Sequence, residues 1–185
     1  MPLTSSEEDK RIKKLLARYN MVPNLVWTII HFTPVCLFWY TEESLLPLYF
    51  FIPSSFIPII FKKRFLDTLQ LAKDPGIYKK LGVASMETLI QNGVIINKLI
   101  KKKFPQYKAV RHNRTSIATL LHTTYLFEKF HWICLVFFLE TTVYAFAVNS
   151  LVWACSIFLL NITYNIYPIL LQQYMRLKLQ LFRAN

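Results

Sequence analysis

Two side chains with complementary acid–base chemistry, Glu128 and His131, stand three residues apart. On a helix, residues at this spacing are neighbours, so the carboxylate can fix the tautomer of the imidazole and favour its cationic form. A histidine held in this way can accept a proton from an attacking hydroxyl as a general base. The competing interpretation is a structural pair at the end of a membrane helix, because the spacing alone does not identify catalysis.

A second group of polar residues closes the last apolar stretch, at Asn165, Pro168, Gln172, Gln173, Tyr174 and Arg176. An arginine in this position can hold a phosphate or a developing oxyanion, and a glutamine can donate a hydrogen bond to either. The alternative for Arg176 is an ordinary arginine that reaches from a helix end to the membrane surface.

Two further ionisable residues lie deep inside apolar stretches. His31 and Glu140 are each nine residues into a predicted span, which corresponds to about 13 Å at the rise of an α-helix. Intramembrane ionisable side chains usually face the bundle interior and have a partner. We therefore predict that the two residues pair, either as a structural polar clamp or as the working pair of a catalytic site or a small transporter.

The elements that must position these residues are membrane helices. All 22 lysines and arginines lie outside residues 19–61 and 130–175, which hold nearly all of the long apolar runs. Each window divides into two pieces close to the ~20 residues that a ~30 Å hydrocarbon core requires. The predicted fold class is an all-α integral membrane protein. Its four transmembrane helices form two hairpins, at residues 22–40 with 45–61 and at residues 132–148 with 151–171.

The distribution of basic residues predicts the orientation. The N-terminal tail holds five, the middle segment fourteen and the C-terminal tail three, whereas the two short connections hold none. By the positive-inside rule, both termini and the middle segment are cytoplasmic, in a multi-pass protein of the cell (inner) membrane. The lipid bilayer is thus the first predicted partner. The basic charge does not point to nucleic acid, because the topology already accounts for it.

This topology divides the chain into five segments. They are an N-terminal amphipathic interfacial helix, a first transmembrane hairpin, a basic cytoplasmic helical insert, a second hairpin and a cytoplasmic tail, at residues 1–21, 22–61, 62–129, 130–175 and 176–185. The first helix gathers apolar side chains on one face, and residues 94–103 form a second amphipathic basic helix. Both faces suit the membrane surface. Prolines at 47, 53 and 58 interrupt the second span, which predicts either a substrate groove or a kink that improves packing.

Several enzyme signatures are absent from the sequence. Its histidines lack the spacing of a zinc site, and no phosphate loop, dinucleotide fingerprint or nucleophile elbow occurs. The three cysteines, Cys36, Cys134 and Cys155, fall inside apolar stretches and are expected to be small hydrophobic residues. We therefore expect neither a metal nor a cofactor.

With these residues in place, the chain resembles the glycosyl-4,4′-diaponeurosporenoate acyltransferase family, small bacterial membrane enzymes of carotenoid biosynthesis. The resemblance covers roughly residues 74–183. It rests on an aromatic and lysine-containing segment that ends in glycine at 77–93, on Glu-x-x-His-Trp at 128–132, and on Asn…Pro…Gln-x-Tyr-x-Arg at 165–176. The family's ending resembles Gln-Arg-Tyr-Asn-Arg, from which this chain departs at Gln173 and Met175.

The resemblance implies transfer of a fatty acyl group from an activated donor, such as acyl-CoA, to a sugar hydroxyl of a glycosylated carotenoid or similar lipid. In this assignment His131 is the general base, Glu128 orients it, and Gln172 and Arg176 steady the oxyanion or the donor. The other expected substrate-binding residues are Trp132, Asn165, Tyr174, Arg111 and Arg114.

The competing hypothesis is a non-catalytic accessory subunit of a larger membrane protein complex. A cavity that opens between His131 and Arg176 would favour the enzyme. Packed side chains in that place, or a covering partner protein, would favour the subunit.

Overall fold

The computed structural model describes residues 5–86, 94–105 and 114–184, and every regular element in these ranges is helical. A 3₁₀ turn, Ile57–Ile60, follows the second helix, and a π-helical turn, Ile162–Ile166, joins the last two. The all-α prediction is confirmed for this part of the chain. The helices are α1 (Ser5–Thr41), α2 (Leu48–Ser55), α3 (Lys63–Thr68), α4 (Pro75–Lys80), α5 (Val83–Met86), α6 (Val94–Lys103), α7 (Arg114–Ala147), α8 (Leu151–Asn161) and α9 (Tyr167–Ala184).

Three stretches of the described chain are long and apolar enough to cross a membrane: Lys10–Thr41, Ile117–Ala147 and Leu151–Phe182. Large apolar side chains on their outer surfaces, such as those of Leu25 and Val143, remain exposed. Extended apolar surfaces of this kind require a covering environment. A helix suits a bilayer because it satisfies its own backbone hydrogen bonds.

The predicted second span is not a continuous helix, since α2 ends at Ser55 and a 3₁₀ turn follows. Proline lacks the backbone donor that a helix interior needs, which accounts for the break near Pro53 and Pro58. The segment nevertheless runs along α7. The Ser54 hydroxyl donates to Glu140, and further on Lys129 Nζ donates to the Ile59 carbonyl at 3.1 Å.

The core lies where α1 packs against the hairpin of α7 and α8. Phe38, Phe138 and Ile157 are fully buried there. The hairpin closes at Asn149, whose φ of 58° lies in the left-handed region that asparagine tolerates better than most residues. This packing brings α1 against the π-helical turn and so places it beside the candidate site.

The N-terminal part of α1 continues without a break into its apolar part. Its face of Ile12, Leu15 and Leu16 packs against Ile96 and Ile100 of α6. The two apolar faces that were predicted to suit the membrane surface thus pack against each other. The physical reason is that each face buries its apolar side chains against the other, which removes them from water as well as a membrane would.

Candidate functional site

The π-helical turn shapes the surroundings of His131. Its wide register is seen in the bond from the Tyr167 N–H to the carbonyl of Ile162, five residues back. Two consecutive side chains, Tyr164 and Asn165, are buried here. Tyr164 contacts α1, whereas Asn165 lies beside His131 on α7. Single π-helical turns inside α-helices are frequent at functional sites.

Pro168 leaves a backbone acceptor available at this turn. It stands four residues after Tyr164 and has no N–H, so the carbonyl of Tyr164 lacks its ordinary α-helical donor. This carbonyl and the side chain of Asn165 both lie beside the imidazole of His131. The local sequence thus provides a polar lining for the histidine from one main-chain group and one amide.

The His131 cluster, defined as His131, Trp132 and Asn165, has unused hydrogen-bonding capacity. His131 Nδ1, Trp132 Nε1 and Asn165 Oδ1 are buried and have no hydrogen-bond partner within the described ranges. Asn165 Nδ2 is held, since it donates to Asn161 Oδ1 at 2.8 Å. Buried polar atoms without partners are costly, so they are uncommon outside functional sites.

Tyr164 links this cluster to α1, which the sequence reasoning missed. Its hydroxyl lies 3.0 Å from Thr28 Oγ1, and its ring stacks on His31 with the centroids 5.0 Å apart. The ring of His131 meets Tyr164 edge-on at 5.8 Å. Tyr164 therefore carries contacts from the first helix to the candidate base. No residue spacing predicts this contact, because Thr28 and Tyr164 are 136 residues apart.

Glu128 does not orient His131, contrary to the prediction. Its Oε1 accepts a hydrogen bond from Gln173 Nε2 at 3.1 Å, and its Oε2 accepts one from Arg176 Nη1. Both carboxylate oxygens therefore point to α9. A guanidinium always carries its charge and binds a carboxylate more strongly than a neutral imidazole does, which explains the choice of partner.

The Glu128 cluster, defined as Glu128, Arg176, Gln173, Asp67 and Tyr125, has a buried ion pair at its centre and the partly exposed Asp67 at its edge. The side chains of Glu128 and Arg176 are both 0% exposed. The guanidinium lies 4.4 Å from the centroid of the Tyr125 ring, and its Nε is 3.4 Å from Asp67. The Tyr125 hydroxyl donates to Asp67 at 2.8 Å. Two carboxylates and an aromatic face thus occupy Arg176, which we expected to hold a donor or an oxyanion.

Gln173 ties this cluster to the middle segment of the chain. Its Oε1 accepts from the N–H of Leu71 at 3.0 Å and lies 3.1 Å from the Tyr78 hydroxyl. Burial raises the pKa of Tyr78, so its hydroxyl keeps the proton at neutral pH. Arginine, which stands here in the family's ending, has no acceptor atom and cannot make these contacts. In the sequence, Gln173 is marked by its departure from the ending that the family resemblance predicts.

His31 and Glu140 do not pair, so that prediction is wrong as well. His31 Nδ1 donates to the Trp27 carbonyl at 2.8 Å, and its Nε2 lies 3.1 Å from Thr163 Oγ1. Glu140 Oε1 instead accepts from Ser54 at 2.6 Å. The two residues lie at different packing surfaces, because α1 packs on the π-helical turn while α2 packs on the Glu140 side of α7.

The remaining predicted site residues are dispersed. Gln172 is half-buried, and Tyr174 is buried in a core cluster, 6.1 Å from Tyr78 between ring centroids. Arg111 lies outside the described residues, as does the side chain of Arg114 at the start of α7. Where the chain is described, no three acidic, histidine or cysteine side chains are grouped as metal ligands would be.

Beside the Glu128 cluster there is a cavity of about 760 Å³, lined by Asp67, Leu71, Leu177 and their neighbours. Packed side chains, not this cavity, surround the buried guanidinium of Arg176. By the criterion set from the sequence, the packing around its ion pair with Glu128 favours a structural role for Arg176. Among the described residues, Arg176 Nε and Nη2 nevertheless lack a hydrogen-bond partner, as His131 Nδ1 does.

The comparisons with known proteins agree with the family resemblance. The glycosyl-4,4′-diaponeurosporenoate acyltransferase family model matches residues 62–185, more than half of the chain. This range includes both polar clusters and excludes α1 and α2. No curated protein and no solved structure matches the chain. On this match, the chain belongs to the glycosyl-4,4′-diaponeurosporenoate acyltransferase family.

Proposed function

We propose that this protein is a membrane-bound O-acyltransferase that moves a fatty acyl group from an activated donor to a sugar hydroxyl of a glycosylated carotenoid or similar lipid. The family match supports acyltransferase chemistry in carotenoid biosynthesis. The observation that carries the proposal is the His131 cluster, in which a half-buried histidine has unpartnered polar atoms beside it and apolar helices around it.

In this proposal the chain crosses the cell (inner) membrane four times, with both termini in the cytoplasm. Three of the crossings are the long apolar helices. The fourth is the broken segment of α2 and the 3₁₀ turn. Its support is that Ser54 contacts Glu140 in the C-terminal half of α7, whereas Asp67, thirteen residues later in the chain, contacts Tyr125, which precedes Glu140 by fifteen residues on that helix. A broken helix is tolerated at membrane depth where protein covers it.

His131 acts as the general base in the proposed reaction. The imidazole takes the proton of the sugar hydroxyl while that oxygen attacks the acyl carbonyl carbon. The bond from the acyl carbon to the donor's leaving group then breaks, and the imidazolium returns the proton to that group. The Tyr164 carbonyl and Asn165 Oδ1 are acceptors that can hold the imidazole in one orientation. Trp132 Nε1, which has no hydrogen-bond partner among the described residues, can donate to the oxyanion, and Gln172 follows Asn165 by seven residues.

The donor is an acyl-CoA or a similar activated acyl compound, used as a co-substrate without a further cofactor. Arg176 takes no part in this version of the site, because two carboxylates already neutralise it. Glu128 becomes a positioning residue that fixes α9 against α7. It thereby holds the Gln172 end of α9 in register with the helix that carries His131.

A non-catalytic subunit of a larger membrane complex is the second candidate. The closed packing around Glu128 and Arg176 favours it. The small-transporter hypothesis loses its basis, because His31 and Glu140 do not meet.

Lipid and pigment mass spectrometry of cells tests the proposal. The strains carry the intact gene, a deletion, His131→Ala, or the control His122→Ala, which removes an exposed histidine from the same helix. We expect deletion to abolish an acylated glycolipid. We expect His131→Ala to reduce it by a factor of about 10² to 10⁴, the usual contribution of a general base, and the control to retain it.

Full acylation by His131→Ala would remove that residue from the mechanism. An unchanged lipid profile after deletion, with a membrane complex lost instead, would establish the subunit. Purified protein given a fatty acyl-CoA and a glycosylated carotenoid then separates direct catalysis from an indirect effect in cells.

A further inference from the structure

The end of α6 lies beside α1 where α1 begins its apolar surface. Lys103 Nζ is 5.8 Å from the centroid of the Tyr19 ring. Two and three residues after Tyr19, Met21 and Val22 are each 59% exposed and begin the outward apolar surface of α1. Two residues correspond to about 3 Å along a helix. Lys103 therefore lies at the level where α1 would enter the headgroup region of a bilayer.

Exposed basic side chains gather at this level. They share the property that their side chains are exposed, while the apolar sides of both helices are buried against each other. The two helices thus form a fixed support, and neither needs to dip an apolar face into lipid. The residues are Lys101, Lys102 and Lys103 on α6 with Lys14 and Arg18 on α1.

The acidic residues of α1 stand at its other end. Glu7, Glu8 and Asp9 precede Tyr19 by at least ten residues, a separation of about 15 Å or more along the helix. This exceeds the Debye length of about 8 Å at physiological ionic strength. An anionic surface near Tyr19 would therefore feel the basic groups strongly and the acidic groups weakly.

We propose that this surface, the lysines at the end of α6 with Lys14 and Arg18 of α1, binds the anionic lipid headgroups of the surrounding leaflet. A basic face that only contacts water could lie at any level along α1, whereas these charges lie at the level where the apolar surface of α1 begins. Each lysine near an anionic membrane surface strengthens association by roughly fivefold. The inference rests on the position of α6 and is independent of catalysis.

The test compares two variants that each remove two positive charges from exposed positions. Lys102→Gln with Lys103→Gln removes charges at the level of Tyr19, and Lys10→Gln with Arg11→Gln removes them at the distant end of α1. The full chain is reconstituted in phosphatidylcholine bilayers with spin-labelled phosphatidylglycerol. Electron paramagnetic resonance then gives its association constant relative to spin-labelled phosphatidylcholine.

We expect the intact protein to prefer phosphatidylglycerol, the Lys102 and Lys103 variant to lose this preference by roughly 5- to 25-fold, and the Lys10 and Arg11 variant to change less than about twofold, since its charges lie beyond a Debye length. Glutamine keeps a polar helix-forming side chain, and circular dichroism with thermal unfolding checks that each variant is folded. The single Lys102→Gln variant replaces the pair if the double variant unfolds.

Equal losses in the two double variants, or no preference in the intact protein, would overturn the proposal. A parallel titration with inorganic pyrophosphate separates a soluble ligand from lipid. Binding of pyrophosphate that disappears in the Lys102 and Lys103 variant, without any lipid preference, would assign the surface to a soluble phosphate compound and likewise overturn the proposal.

Discussion

Glu128 and His131, which give the two clusters their names, lie three residues apart on α7. The clusters differ in how their polar atoms are hydrogen-bonded. Both oxygens of Glu128 and both polar atoms of Gln173 have partners. In the other cluster His131 Nδ1 and Asn165 Oδ1 have none within the described part of the chain. A network of paired polar groups fixes structure, whereas unpaired groups remain able to bind a ligand. Pairing is not complete in the Glu128 cluster either, since Arg176 Nε and Nη2 have no hydrogen-bond partner among the described residues. What separates a clamp between helices from a candidate chemical site is the buried ion pair of Glu128 with Arg176, which has no counterpart at His131.

The two clusters also differ in how the chain builds them. The Glu128 cluster joins side chains from α7, α9 and the loop at residues 69–72, through charged and multiply bonded contacts. The His131 cluster uses a local irregularity, the π-helical turn, and a carbonyl left free by Pro168. Contacts between distant segments thus stabilise the Glu128 cluster, whereas the π-helical turn gives the His131 cluster its polar lining.

Glu128→Ala should cause the largest loss of stability, because it removes one partner of the buried ion pair in the Glu128 cluster. The substitution leaves Arg176 fully buried with one carboxylate at 3.4 Å and an aromatic ring. Removing one partner of a buried ion pair costs about 3–5 kcal/mol. Unfolding of the protein in detergent measures the loss. Glu140→Ala is the control, because Glu140 has one unpartnered oxygen and should cost less. A loss below about 1 kcal/mol for Glu128→Ala would contradict the clamp.

Gln173→Arg should weaken the link between the clamp and the loop. The new side chain has no acceptor for the Leu71 N–H, and it brings a second cation beside Arg176. Leaving a buried donor unsatisfied costs about 1–3 kcal/mol. We expect lower stability and faster proteolysis near residues 69–72, while Gln172→Arg, at a half-buried neighbour, should be milder. Stability equal to that of the unaltered protein would show that Gln173 does not hold the loop.

Tyr164→Phe should affect the His131 cluster and lower activity, with little change in the stability of the protein. It removes the hydroxyl that contacts Thr28 at 3.0 Å but keeps the ring between the two histidines. The loss should be about 1 kcal/mol, the value of one ordinary hydrogen bond. Acyl transfer should fall severalfold in kcat with KM unchanged, because the variant disturbs the orientation of His131 and not substrate binding.

Thr28→Val and the double variant complete a cycle for that contact. If the hydroxyls interact as the structure indicates, the two single losses will not add in the double variant. Additive losses would mean that Tyr164 acts through another neighbour. Unchanged kcat in Tyr164→Phe would disconnect α1 from the chemistry.

Sequence reasoning identified Glu128, Arg176 and the members of the His131 cluster, but it missed Asp67 and Tyr125 and paired Glu128 incorrectly. Glu128 and His131 are within reach of each other on one helix, and nothing in the sequence revealed that Arg176, 48 residues away, would approach Glu128 more closely. The same holds for His31, whose partner Thr163 is 132 residues away. Local spacing limits the possible neighbours of a side chain but does not rank them.

From the sequence alone we could predict the helical class, the three long apolar stretches, the interruption at Pro53 and Pro58 and the apolar faces of the two amphipathic helices. These properties follow from composition and period, which act over a few helical turns. Only the tertiary structure decided that the amphipathic faces cover each other, that Glu128 binds α9, and that Tyr164 connects α1 to His131. Such contacts depend on which helix surfaces meet, and this is a property of the packed chain and not of any one segment.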